Sequence, residues 1–172
     1  MDLLEQYFVE QIAVRISDKP GELAKLTTIL GKAGIDLRAI SSDEGTTTFI
    51  NMFTGKPVDQ DGRTLDQDDR MLLRLIVSNP TDAKEELRAK GYAVSTKQAL
   101  AVSIPDEPGS LAKVLNILAG ADINIKHAYA CIARKEESAY AIVHVADEDN
   151  ERAMKLFERH GVEPAGSEVY DL

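Results

Sequence analysis

The chain contains one segment of itself twice, and that repeat limits its fold more than any other feature. Ile12–Leu37 aligns with Leu100–Ile125 at a constant offset of 88, and 13 of the 26 positions are identical, among them Asp18/Asp106, Pro20/Pro108, Gly21/Gly109, Leu23/Leu111 and Ile35/Ile123. Further on, Ala83, Leu87 and Gly91 match Ala153, Phe157 and Gly161 at an offset of 70, so the first copy carries 18 additional residues. Internal similarity at this scale marks a duplicated structural unit. The 172 residues suffice for two small domains, each with its own core. The expected boundaries are 1–97, with an insertion at about 46–70, and 98–172.

Each copy changes its hydrophobic period at the same places. Alternation over Val9–Ile16 and Leu100–Ile104 predicts a strand, and the Pro-Gly that follows opens a stretch of different spacing. Leu23, Leu26, Leu30 and Ala33 recur at helical intervals, as do Leu111, Val114, Leu118 and Ala121, so both stretches predict amphipathic helices. Gly31 and Gly34 in one copy and Gly120 in the other are read as the closing glycines. Strands are expected next at Ile35–Ser41 and Ile123–Ile132, then at Met71–Val77 and Ala139–Val145. Asn79-Pro80-Thr81 and Asp147 to Asn150 carry helix-start chemistry, and Gly91 and Gly161 mark where those helices stop. Tyr92–Thr96 and Glu168–Tyr170 are the expected last strands. The order βαββαβ predicts an α+β fold, a ferredoxin-like antiparallel sheet with both helices on one face.

Composition narrows the function. Twenty Lys and Arg against 29 Asp and Glu leave a formal charge of −9, which repels a phosphate backbone and argues against nucleic acid as a partner. Cys131 is the only cysteine, so neither an internal disulfide nor a paired-thiol metal site is possible, and no metal or cofactor is expected. His127, His144 and His160 show no triad or ligand spacing, and no catalytic constellation assembles; the chain reads as a non-enzyme. No apolar run approaches the ~20 residues of a membrane-spanning helix, and acids stand near the N-terminus where a signal peptide carries cations; a cytoplasmic protein without a membrane partner is expected.

The loop between the first strand and helix occurs twice, as Ser17-Asp18-Lys19-Pro20-Gly21-Glu22-Leu23 and as Pro105-Asp106-Glu107-Pro108-Gly109-Ser110-Leu111. Proline presets φ, and glycine leaves the first-turn N–H groups open to a ligand. The positive end of the helix dipole favours a small carboxylate there. Asp18 or Asp106 accepts from a ligand ammonium or orders the turn through backbone bonds.

The pattern Asp-x-Pro-Gly-x-Leu-Ala-Lys, a helix, then Gly-Ile-Asp-Leu or Asp-Ile-Asn-Ile, resembles the ACT domain, and both copies fit. The whole is similar to the small stand-alone proteins built from two ACT domains. That resemblance implies a regulatory module that binds a free amino acid at an interface between domains, in a homodimer or larger assembly. It implies ligand-binding roles for Asp18, Pro20, Gly21, Glu22, Leu23 and Asp36 in the first copy, and for Asp106, Pro108, Gly109, Ser110, Leu111, Asn124 and Ile125 in the second. An amide at Asn124 both donates and accepts, whereas Asp36 repels a ligand carboxylate, so the second copy is expected to be the better binding half. The alternative is a protein-interaction module that binds no ligand and regulates an amino-acid biosynthetic enzyme; a partner of that kind, an amino-acid metabolic enzyme, is expected on that reading.

The insertion, Thr46–Arg70, is β-prone over Thr46–Phe53 and polar over Thr54–Asp69. Asp59-x-Asp61-Gly62 matches the middle of a calcium loop, but the register puts Pro57 at the first ligand position, and no helices flank it. It reads as a solvated acidic loop.

Overall fold

The computed structural model describes residues 5–44, 49–50, 57–58, 71–132 and 138–171. Its strands and helices run β1 (Phe8–Ile16), α1 (Glu22–Lys32), β2 (Leu37–Glu44), β3 (Phe49–Ile50), β4 (Pro57–Val58), β5 (Met71–Val77), α2 (Pro80–Ala89), β6 (Val94–Pro105), α3 (Ser110–Ala119), β7 (Ile125–Ile132), β8 (Ser138–Val145), α4 (Asn150–Arg159) and β9 (Glu163–Pro164). The β-prone start of the insertion contains β3, which pairs antiparallel with β4. The acidic stretch 59–70 lies outside the described residues.

Contacts divide the chain into two units, Ile12–Thr96 and Met1–Gln11 with Lys97–Leu172. Among the described residues, 5–11 group with the second unit. The reason is a set of long-range bonds: the Tyr7 hydroxyl donates to the Val162 carbonyl at 2.8 Å, the Glu10 N–H donates to the Tyr170 hydroxyl at 2.6 Å, and the Tyr7 and Phe157 rings lie 6.3 Å apart.

Within the first unit the strand order is β2, β5, β1, all antiparallel. Alternate residues of β1 and β5 (Ile12, Val14 and Ile16; Leu73, Leu75 and Val77) pack against Leu26 and Leu30 of α1 and Ala83 and Leu87 of α2. The second unit repeats this with β7, β8 and β6. There Leu100, Val102, Ile104, Ala141 and Val143 meet Val114 and Leu118 of α3 and Ala153 and Phe157 of α4. Each unit is thus an α+β, ferredoxin-like layer of helices on one sheet face.

The four α-helices among the described residues end the same way. The N–H groups of Ile35, Tyr92, Ile123 and Val162 return to the carbonyls of Leu30, Leu87, Leu118 and Phe157, each five residues earlier. This bond needs a left-handed residue just before it, a role taken by Gly34, Gly91, Asp122 and Gly161. Gly120 is therefore not the residue that turns the chain after α3; Asp122, at φ 59°, takes that place, since the short polar side chain of an Asp tolerates the left-handed region.

Two strand expectations change. Of the expected Tyr92–Thr96 strand, Val94–Thr96 joins Leu100–Ile104 in one twelve-residue strand, β6, because Lys97 and Gln98 supply no turn residue between them, while Tyr92 and Ala93 precede it. The expected strand at Glu168–Tyr170 is a 3-10 helix, Ser167–Asp171. Tertiary partners impose it: Val169 is buried, and the Tyr140 hydroxyl donates to the Glu168 carboxylate at 3.1 Å. The short β9 pairs with β6 instead.

Candidate functional site

The two Pro-Gly loops form one backbone structure. Gly21 has φ 91° and ψ −16°, Gly109 has φ 92° and ψ −9°, and the N–H groups of Glu22 and Ser110 return to the carbonyls of Lys19 and Glu107, both at 3.3 Å. Proline followed by a left-handed glycine, closed by this bond, is a type II turn. A Cβ on either glycine would meet no atom within 4 Å, so the backbone conformation, not crowding, calls for glycine. Neither helix start receives a side-chain cap, and Asp18 and Asp106 make no hydrogen bond or ion pair among the described residues. Asp18, Pro20, Gly21 and Leu23 are exposed, as are Asp106, Pro108 and Gly109.

The residue after the glycine separates the copies. Glu22 is half-buried, whereas Ser110 is only 3% exposed, and its hydroxyl has no hydrogen-bond partner. A buried hydroxyl without a partner carries a desolvation cost of about 1–3 kcal/mol. Sequence reasoning placed Ser110 in the loop but had no signal for its burial. Leu111 and Ile125 are half-buried and pack on the second core.

The strand-opening residues also differ. Asp36 faces Arg38 at 3.5 Å, and its backbone exchanges bonds with Ser78: the Asp36 N–H donates to the Ser78 hydroxyl, and the Ser78 N–H to the Asp36 carbonyl. Arg38 partly neutralises the carboxylate, a pairing that the sequence comparison overlooked although the two residues stand at i and i+2. Asn124 is exposed and has no such partner among the described residues.

The loop and the strand-opening residue of one unit do not meet. Pro105, at the loop end of β6, pairs with Ser138, the first residue of β8, while Ile125, beside Asn124, pairs with Val145, the last. Seven steps at ~3.4 Å each put the two ends roughly 24 Å apart. The first unit repeats the separation, with Ile16 against Met71 and Leu37 against Val77.

Among the described residues no group of three His, Cys, Asp or Glu is placed to hold a metal, and no helix is long and apolar enough to cross a membrane. Burial raises the Cys131 thiol above its ordinary value, which keeps it protonated and a poor nucleophile at neutral pH.

The ACT domain family matches residues 99–161, which run from β6 through α4. The second unit contains an ACT domain. The fold is that of several solved structures. A Bacteroides thetaiotaomicron protein superposes with a TM-score of 0.74 at 23% identity, covering 96% of this chain and 98% of that one. The regulatory subunits of aspartate kinase from Thermus flavus and, in ligand-free form, Thermus thermophilus give TM-scores of 0.54 and 0.53 at 18% identity. Those two alignments cover 89% and 90% of this chain and 92% and 93% of the subunits. No curated protein sequence matches. At these identities the likeness establishes the fold, and the ACT match adds a regulatory, ligand-binding character, so the chemistry of the ACT loop must carry the rest.

Proposed function

We propose that the chain is a non-enzymatic regulatory sensor that binds a free amino acid at the ACT loop of its second unit, around Pro108, Gly109 and Ser110. The buried hydroxyl of Ser110 carries this reading. It stands at the first residue of α3, beside uncapped N–H groups whose dipole favours a carboxylate, and it offers both a donor and an acceptor. Asp106 then provides an acceptor for the ligand ammonium. Because Asn124 lies about seven strand residues away in the same unit, an Asn that completes the site comes from another ACT-type domain, as the family resemblance implies. Binding across such an interface favours whichever geometry holds both halves, which is how a small ligand biases an assembly.

The test is thermal unfolding against each of the twenty amino acids, with nucleotides and Ca²⁺ as controls. A ligand at 100 times its Kd stabilises by about 2.7 kcal/mol. Ser110→Ala and Asn124→Ala should each abolish the shift without lowering the stability of the free protein. A shift that survives Ser110→Ala would remove the site from this loop. The absence of any shift would favour the second reading, a ligand-free module that regulates an amino-acid biosynthetic enzyme. That reading draws on the aspartate kinase regulatory subunits that share the fold.

A further inference from the structure

The helix layers of the two units settle their charges differently. In the first unit α1 and α2 border a groove of about 570 Å³, lined by the aliphatic Ile29 and Ala33 and by Lys25, Lys32, Lys90 and Glu86. The ammonium groups of the three lysines make no hydrogen bond or ion pair among the described residues. The equivalent groove of the second unit, about 510 Å³ beside α4 and Ala121, also holds three cations, Arg152, Lys155 and Arg159. There most of the charge is answered within the unit: Lys155 bonds to Glu151, and Arg152 to the Ala121 carbonyl and to Asp149.

The repeat shows which substitutions leave the first groove cationic. Lys25 aligns with Lys113, whose ammonium donates to Glu107 at 3.3 Å, but Lys19 stands in the place of Glu107. Lys32 replaces Gly120, and Lys90 replaces His160. Helix ends account for two of the three, since Lys32 in the last turn of α1 and Lys90 at the C-cap of α2 complement the negative poles. Lys25 is the fourth residue of α1, near the positive pole, where a cation is disfavoured. In a chain with a formal charge of −9, an unanswered row of lysines presents a face for an acid.

We propose that the groove between α1 and α2 is a docking surface for an acidic amphipathic helix of a partner protein. The sides of two helices spend their N–H groups on their own ladders and offer a phosphate no backbone donors, unlike a helix start. Lys25 and Lys32 are seven residues, or about 10.5 Å, apart along α1, a spacing that carboxylates seven residues apart on a second helix reproduce. Aliphatic side chains between those carboxylates cover Ile29, Ala33 and the lysine stems, which is how a helix fills a groove. Lys90 adds a third pair from α2, and Glu86 disfavours an acid at its own position and so selects the register. The proposal does not rest on amino-acid binding.

The experiment is fluorescence anisotropy of a labelled helical peptide of about 20 residues, long enough to hold a helix in water, with Glu at every seventh position and Leu between. It is titrated with the full chain without amino acid, and a second peptide carries Lys in place of each Glu. Saturable binding of the acidic peptide is expected, weakened about tenfold or more by Lys25→Glu, by Lys32→Glu and by raising salt from about 0.05 to about 0.5 M, with Lys113→Glu unchanged. Lys113→Glu makes the same change in net charge at the matching position of the second copy, and circular dichroism on each variant confirms that the fold is intact. The proposal is overturned by failure of the acidic peptide to bind, by equal binding of the Lys peptide, or by an equal loss in Lys113→Glu. It is also overturned if Lys25→Glu and Lys32→Glu leave the peptide bound and abolish instead binding of pyrophosphate, of phosphatidylserine vesicles or of a second copy of the chain in sedimentation equilibrium. Because no amino acid is present, any of these failures leaves the sensor reading standing, and a negative ligand screen leaves the docking surface standing.

Discussion

Gly21 and Gly109 occupy the same turn at nearly the same φ and ψ, yet the residues around them face opposite ways. The second copy draws Ser110, Leu111, Ile125 and Ala128 inward, leaving a buried hydroxyl without a partner. The first copy has Glu22 in place of the serine, pairs Asp36 with Arg38, and turns Leu23, Leu37 and Ile40 outward. Duplication preserved the backbone, down to the bulge shared by Leu37/Ala39 and Ile125/His127, while the side chains diverged in burial and charge. The lesson is that one scaffold keeps its turns because φ demands them, while its exposed chemistry is free to separate.

The comparison breaks most readily in the cores. Leu30 and Leu118 are equivalent and essentially unexposed, so Leu30→Ala and Leu118→Ala should each cost about 2–5 kcal/mol in denaturant unfolding. Near-equal losses would show that the two cores remain interchangeable. Next comes a feature confined to the second unit. A Cβ on Gly166 would stand 2.0 Å from the Gln6 carbonyl oxygen, so Gly166→Ala must displace the N-terminal segment, at about 1–3 kcal/mol. Faster amide exchange at Glu10, with the first unit unchanged, is the expected reading. Smaller again, Gly21→Ala and Gly109→Ala should each cost about 1–2 kcal/mol, the penalty of a left-handed residue with a Cβ. Unequal costs would show that one turn is held by something beyond its own backbone.

The smallest effect separates the units by pH. Tyr7, Tyr140 and Tyr170, all in the second unit, have hydroxyls raised above the ordinary tyrosine value, burial being the first cause in each. Glu158 adds to the rise at Tyr7, and Glu168 at Tyr140. A raised folded-state value contributes stability that is fully present below the unfolded value of 10.0 and is lost as pH rises through the folded one. The second unit should therefore weaken first above pH 10, and Tyr140→Phe should flatten that slope.

Much of the architecture was legible because it rests on local rules. The strand at Met71–Val77 follows from alternation, and α2 begins at Asn79-Pro80 because the Asn79 side chain accepts from the Asp82 N–H at 3.2 Å. The Pro-Gly turns likewise followed from residue type. What escaped notice depended on partners distant in sequence. Glu168–Tyr170 has strand-like residues, but Tyr140 and Glu10 hold it as a 3-10 helix; Gly120 looked like a stop, but Asp122 makes the turn.

The sequence by itself determined two βαββαβ copies, their helix faces and the loops worth examining, because periodicity and turn chemistry act over a few residues. Only the tertiary structure decided that residues 5–11 group with the second unit, that Ser110 is buried without a partner, and that Gly109 and Asn124 sit at opposite ends of one sheet. Burial and strand register arise from contacts between residues far apart in the chain, and two copies with the same local pattern can resolve those contacts differently.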